Sequence, residues 1–168
     1  MKILDLGCGS RKYKDDTNEV IGMDKFQLED VDVVHDIEKT PFPFKDNEFD
    51  MIIANHVVEH VQNFFPLMEE LYRITKQDGL IKIRTPHFSS RSAFGNPDHK
   101  RFFTLTSFDC FKPNHEENYH SKARFDIIKK SAVFSIAGKS TLFNPVFNPL
   151  INFNHNLKQL YEHHYYKL

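Results

Sequence analysis

Apolar residues in the first third of the chain fall in short continuous runs broken by polar turns, which is the pattern of buried strands. The first run, Ile3-Leu4-Asp5-Leu6, closes on Gly7-Cys8-Gly9, and the second, Val20-Ile21-Gly22-Met23, closes on Asp24. A third strand is expected over 31–37, ending in Asp36-Ile37, and a fourth over 49–55, ending in Ala54-Asn55. From Asn63 the period changes: Leu67, Leu71 and Ile74, with Met68 and Tyr72, recur three and four residues apart. Pro66 sits in the first turn and Gly79 is placed to stop the run, so one amphipathic helix is expected after the fourth strand. Residues 80–85 read as a fifth strand that Pro86 ends, and 123–130 as a sixth. The segment 10–19 is polar without an apolar stripe, and 25–30 leaves little room between strands. The first two helices of an alternating β/α chain are therefore expected to be short or absent.

Gly7 and Gly9 let the backbone turn tightly and approach a ligand where a side chain would collide. Asp24, at the tip of the second strand, is placed to accept hydrogen bonds from the hydroxyls of a ribose. A nucleotide-like ligand is the natural expectation. The run Gly7-Cys8-Gly9-Ser10-Arg11-Lys12 lacks the third glycine of a dinucleotide turn, which counts against an NAD-dependent oxidoreductase.

Length and charge narrow the field further. With 168 residues and 40% hydrophobic content, the chain is long enough for one domain over 1–168 with a real core. A net charge of −1 gives no broad basic surface, so nucleic acid is an unfavoured partner. Cys8 and Cys110 are the two cysteines, which suggests no disulfide framework; with a core strand at the start and no signal peptide expected, the cytoplasm is the expected location. No apolar run reaches the roughly 20 residues that span a bilayer.

Taken together, ILDLGCGS, VIGMDK, VVHDIEKTPFPFKDNEFDMIIANHVVEHV and DGLIKIRTPH resemble the class I S-adenosylmethionine-dependent methyltransferases. The likeness runs over roughly residues 1 to 110 and points to the small branch with a VLEH-like motif. The stretch from Thr85 to Ser90, followed by Asn96-Pro97-Asp98-His99-Lys100-Arg101-Phe102-Phe103, is similar to a subgroup with a D-P-x-H-x-R-F-F segment. The resemblance implies an α/β Rossmann-like fold with a mostly parallel sheet and abbreviated first helices. It also implies S-adenosylmethionine as cofactor and a small-molecule or glycan-type acceptor.

On that resemblance, Asp5, Gly7, Cys8 and Gly9 lie against the methionine moiety, Asp24 and Lys25 at the ribose, and Asp36 and Ile37 at the adenine. Asn55 and His56 lie near the reacting methyl. The missing first helix leaves Arg11 or Lys12 to meet the methionine carboxylate. Residues 86–121 form a substrate-side cover, in which His87 and His99 are candidates for acid–base work and Arg101 for pairing with an anionic group. Mutual hydrogen bonds that merely pin the loop are the competing reading of all three. His56, Glu59 and His60, at i, i+3 and i+4, would share one face of a helix; a structural or substrate-lining role is favoured there and no metal is assigned. The family's last antiparallel strand has no convincing counterpart in 139–168. There the two Asn-Pro pairs suggest an irregular lead-in, and Leu157, Leu160, Tyr161 and His164 suggest a short helix. The sheet is then one strand short, or the chain truncated, and a second copy covering the open edge would make a homodimer.

Overall fold

Strands β1 (Lys2–Leu6), β2 (Glu19–Asp24), β3 (Val33–Val34) and β4 (Phe49–Asn55) open the chain in the computed structural model, which describes residues 1–133, 135–136, 139–140 and 161–167. Helix α1 (Phe64–Ile74) leads into β5 (Thr75–Pro86), and the short α2 (Arg91–Gly95) lies in the cover. The remaining strands are β6 (Asp126–Val133), β7 (Ser135–Ile136), β8 (Lys139–Ser140) and β9 (Tyr161–Lys167). Seven strands form one sheet in the order β3-β2-β1-β4-β5-β9-β6, and β7 pairs with β8 separately. The pairs from β3 to β5 are parallel, and β9 runs antiparallel to both neighbours. The chain walks outward from β1 through β2 to β3, then returns to the other side of β1 as β4. That reversal opens a crevice beyond the carboxyl ends of β1 and β4.

The central strands are buried because their apolar runs have no polar face to offer water. Ile3, Leu4, Leu6, Ile52 and Ala54 are fully buried. On one face Leu4, Leu6, Ile52 and Ala54 meet Leu67, Met68, Leu71 and Ile74 of α1 and, from the cover, Phe103, Phe108 and Phe111. Phe103 and Phe108 stack at 5.2 Å, and Phe64 meets Phe108 edge-on at 5.5 Å. Part of the cover is thus core, although its sequence shows no period. A smaller cluster of Ile3, Met51 and Ile53, with Val20 and Leu80 packed against it, forms separately. Among the described residues no helix stands between β1 and β2 or between β2 and β3, as the polar segment 10–19 predicts.

Four expectations are corrected. The helix ends at Ile74 rather than at Gly79, because Thr75 turns extended, its hydroxyl donating to the Leu71 carbonyl at 2.6 Å, and β5 starts at once. Gly79 instead sits inside β5, beside the left-handed Asp78, where a Cβ would lie 2.8 Å from the Lys76 carbonyl oxygen. The third strand keeps only Val33–Val34, and the sixth begins at Asp126 rather than at 123.

The largest correction concerns the carboxy-terminal segment. Tyr161–Lys167 is a strand, not a helix, and it inserts between β5 and β6, pairing Ile83 with His164 on one side and Lys130 with His164 on the other. The sheet is therefore not a strand short: β9 covers β5, and β6 stands at the outer edge of the sheet. Tyr161 and His164 belong to this strand, while Leu157, Leu160 and both Asn-Pro pairs lie outside the described residues.

Candidate active site

A cavity of about 350 Å³ lies beyond the carboxyl ends of the parallel strands, within the range of small-molecule sites, about 300–1,000 Å³. Each strand delivers its share of the lining through the turn that follows it: Gly7 and Gly9 after β1, Lys25 after β2, Asp36 and Ile37 after β3, and His56 after β4. Asp24, the last residue of β2, completes this set. Seven of the ten residues expected to hold the cofactor thus meet at one site. Phe26, Leu28, Val57 and Ile37 add an apolar wall.

The glycine turn is built for close approach. Gly7 has φ +64°, and a Cβ there would sit 2.5 Å from a Val57 methyl. Gly9 has φ +57°, with nothing within 4 Å of where its Cβ would be, so that position faces open space. The Gly9 amide donates to Asp24 Oδ2 at 2.9 Å and the Phe26 amide to Asp24 Oδ1 at 3.1 Å. These two bonds fix the carboxylate, and since an ionised carboxylate has about four acceptor sites, capacity remains for a diol. Asp36 Oδ1 accepts from the Glu38 amide at 3.1 Å, a turn that sets it at the cavity. His56 is left-handed at φ +56°, a strained conformation that concentrates at functional positions.

Three expected cofactor residues are not part of the lining. Asp5 is buried, and its Oδ2 accepts from the Tyr13 amide at 2.6 Å. Burial pushes its carboxyl above the ordinary value, against the Tyr13 bond. Cys8 is buried under the turn, where desolvation and the negative charge of Asp5 and Asp24 push its thiol up to about 11. Asn55 is exposed at the end of β4, outside the lining. Lys12 is committed elsewhere, its ammonium paired with Asp32 at 2.7 Å, so it is not the counter-charge for a carboxylate.

The cover contributes residues the sequence reading undervalued. Asp98 and Lys100 line the cavity, together with Glu38 and His60. Burial opposes ionisation of Glu38, but the amides of Gln62 and Asn63 and the Lys100 ammonium outweigh it and hold the carboxyl below its ordinary value. The signal for Glu38 was its position two residues beyond Asp36; its capping of residues 62 and 63 is invisible in sequence.

The three candidate catalytic residues separate. His87 is buried, its Nδ1 2.6 Å from the Ser89 hydroxyl, and it is not part of the lining. Arg101 donates through Nε to the Val61 carbonyl at 2.9 Å and through Nη2 to the Gln62 carbonyl at 2.5 Å, over the face of Phe64. Those bonds pin the loop. His99 donates or accepts at Nδ1 toward the Ala93 carbonyl at 2.8 Å; since a carbonyl only accepts, Nδ1 carries the proton. Its ring stands edge-on to His60, 4.7 Å away; His60 is part of the lining and His99 is not.

The methyltransferase-domain family matches residues 4–83, just under half of the chain and the half that builds the cavity. No curated protein sequence matches the chain. A methyltransferase from Thermotoga maritima superposes with TM-score 0.61 at 16% identity, over 99% of this chain and 81% of that one. A methyltransferase from Archaeoglobus fulgidus gives 0.52 at 19%, over 99% and 86%. The [4+2]-cyclase SpnF gives 0.59 at 14%, over 99% and 73%. At such identities the likeness is one of fold, and it spans β6 and β9 as well as the matched domain.

Proposed function

We propose that the chain is an S-adenosylmethionine-dependent methyltransferase acting on a small-molecule or glycan-type acceptor. The observation that carries the reading is the convergence of the glycine turn, Asp24, Asp36 and Ile37 on one cavity at the reversal point of the sheet. The methyltransferase-domain match and the methyltransferase relatives support S-adenosylmethionine as the cofactor. The residues present fit its adenosine half: Asp24 for the ribose diol, Asp36 for the adenine amino group, and Phe26, Leu28 and Ile37 for the ring faces. When bound, the cofactor supplies a methyl on a sulfonium that leaves as a neutral thioether.

What this chain contributes is alignment and exclusion of water. The Gly7–Gly9 turn holds the backbone against the ligand, and the cover closes the far side with Asp98 and Lys100. With its proton on Nδ1, His99 presents a lone pair on Nε2, which makes it the group of the three best placed to receive a proton from a hydroxyl acceptor. A cytoplasmic location is consistent with the two free cysteines and with the absence, among the described residues, of any helix long and apolar enough to cross a membrane.

Calorimetric titration with S-adenosylhomocysteine tests the reading. The intact protein is expected to bind, and Asp24→Ala, checked for folding by circular dichroism, to bind about 10- to 100-fold more weakly, the effect of losing charge-assisted hydrogen bonds. No binding by the intact protein would overturn it. A second reading, binding without transfer, is favoured by one observation: no helix amino terminus follows β1 to receive the methionine carboxylate. Methyl transfer to any acceptor would dismiss that reading.

A further inference from the structure

We propose that Glu59, His60 and His99 form a binding site for a divalent transition-metal cation, zinc being the best match to two imidazoles and a carboxylate. One ligand atom from each of these residues lies within 4.8 Å of the other two. A tetrahedral zinc with bonds of about 2.0–2.2 Å needs ligand atoms about 3.3 Å apart, so a modest inward rotation of the side chains closes the set. Two histidines and one carboxylate leave a coordination position open, the mark of a reactive rather than a structural site. Magnesium and calcium, which want oxygen ligands, are poor matches.

Three features beyond proximity point to a cation. First, each imidazole has its Nδ1 held by an acceptor, as metal-ligating histidines do. His60 Nδ1 meets Asp98 Oδ2 at 2.9 Å and His99 Nδ1 meets the Ala93 carbonyl at 2.8 Å. Both partners are acceptors, so the protons sit on Nδ1 and the lone pairs on Nε2, with a carboxylate or carbonyl behind each ring.

Second, the Glu59 carboxylate is 1% exposed, and its two oxygens meet the His56 ring at 3.2 Å and the Thr85 hydroxyl at 3.1 Å. Neither partner is a permanent cation, and a buried carboxylate calls for positive charge. Third, the loop bearing His99 is fastened to the residue it would share the metal with. The amides of Lys100 and Arg101 both donate to the Glu59 carbonyl, at 2.8 and 3.1 Å. The cover segment and the turn after β4 are thereby held in one frame. His60 also lines the cavity, so a cation here stands next to where an acceptor enters.

The set differs from the three residues that share a spacing in sequence. His56 touches Glu59 from behind and His99 takes its place among the ligands. With a cation bound, the His99 lone pair is a ligand, and its role as a base is confined to the metal-free protein.

The full chain, stripped with a chelator, is titrated with zinc by calorimetry and with cobalt(II) by visible absorption, whose d–d bands report imidazole coordination. One equivalent of zinc is expected to bind. Loss of an imidazole in His99→Ala should weaken binding by more than the roughly 10- to 100-fold that an outer-sphere partner is worth, the loss expected of Asp98→Ala. His99→Gln, which keeps a donor for Ala93, serves if the alanine variant fails to fold. No stoichiometric binding by the intact protein overturns the proposal, as does a folded His99 variant with the parent's zinc affinity and cobalt spectrum. The measurement needs neither cofactor nor turnover, so its failure is distinguishable from failure of the methyltransferase reading.

Discussion

The turn after β1 and the cover after β5 both border the cavity, yet they are held in opposite ways. In the turn, position is set by backbone conformation: two left-handed glycines, a Val57 methyl where a Cβ would be, and Asp24 receiving the Gly9 amide. In the cover, position is set by side chains reaching backbone carbonyls, as Arg101 does at Val61 and Gln62 and His99 at Ala93. Backbone constraints are cheap to read in a sequence, since few residues tolerate φ above zero. Carbonyl acceptors have no sequence identity at all, so an arginine pinned to them looks the same as one awaiting a substrate.

The sharpest way to break this contrast is to add one carbon to the turn. Gly7→Ala is expected to cost about 2 to 4 kcal/mol, from the left-handed backbone and the Val57 contact together, read as a fall in the denaturation midpoint. Gly9→Ala should cost about 1 to 2 kcal/mol for the backbone alone, and its methyl would project toward the cavity, so S-adenosylhomocysteine binding should fall further than stability does. Equal effects of the two variants on stability would erase the distinction. In the cover, Arg101→Ala is expected to lose about 1 to 2 kcal/mol of stability by taking the partner from the part-buried Val61 carbonyl. Binding of the cofactor product should stay within about two-fold if pinning is its role, whereas a selective loss of acceptor affinity would return Arg101 to substrate recognition.

The smallest expected effect lies in the acid limb of the stability curve. Burial opposes ionisation of Asp109 in the cover, but Lys130 and Lys112 outweigh it and hold the carboxyl below its ordinary value. A lowered folded-state value contributes stability that is present above the unfolded value, about pH 4, and lost as pH falls through the folded one. Asp109→Asn should therefore flatten the acid loss. Asp5, raised by burial, has the opposite sign: it gains stability as pH falls through its raised value. Asp5→Asn should steepen the loss, and denaturation midpoints across pH 3 to 6 would show whether the two slopes move apart.

How far the fold was legible follows the same division. The runs at 3–6, 20–23 and 49–55 gave strands because continuous apolar stretches must be covered, and the turns after them were legible from Gly7, Gly9 and Asp24. The helix end was misjudged because Gly79 suits a helix stop and a strand irregularity equally well; the Thr75 and Lys76 atoms packed against it decide, and they are set by the fold. Residues 161–167 were misjudged because a helical spacing that starts at Leu157 was allowed to outweigh a Tyr- and His-rich segment. Aromatic residues favour strands, and the place of this one, between β5 and β6, is fixed by partners far away in sequence. At the site, Glu38 and His99 needed the fold to bring 38 beside 62 and 99 beside 60.

That late strand also sets a schedule for the chain's birth on the ribosome. β6 pairs in this sheet with β9 alone, and β5 has β9 as its second neighbour, so the side of the sheet beyond β5 stays open while some thirty residues after β6 are being made. During that interval two unpaired backbone ladders face the solvent together, a state in which a nascent protein is most exposed to wrong pairing with its neighbours. The parallel half, β1 to β5, can assemble its glycine turn and cavity wall first and wait. Synthesis of residues 161–167 then acts as the closing event, placed by connectivity at the moment when everything it must bridge already exists.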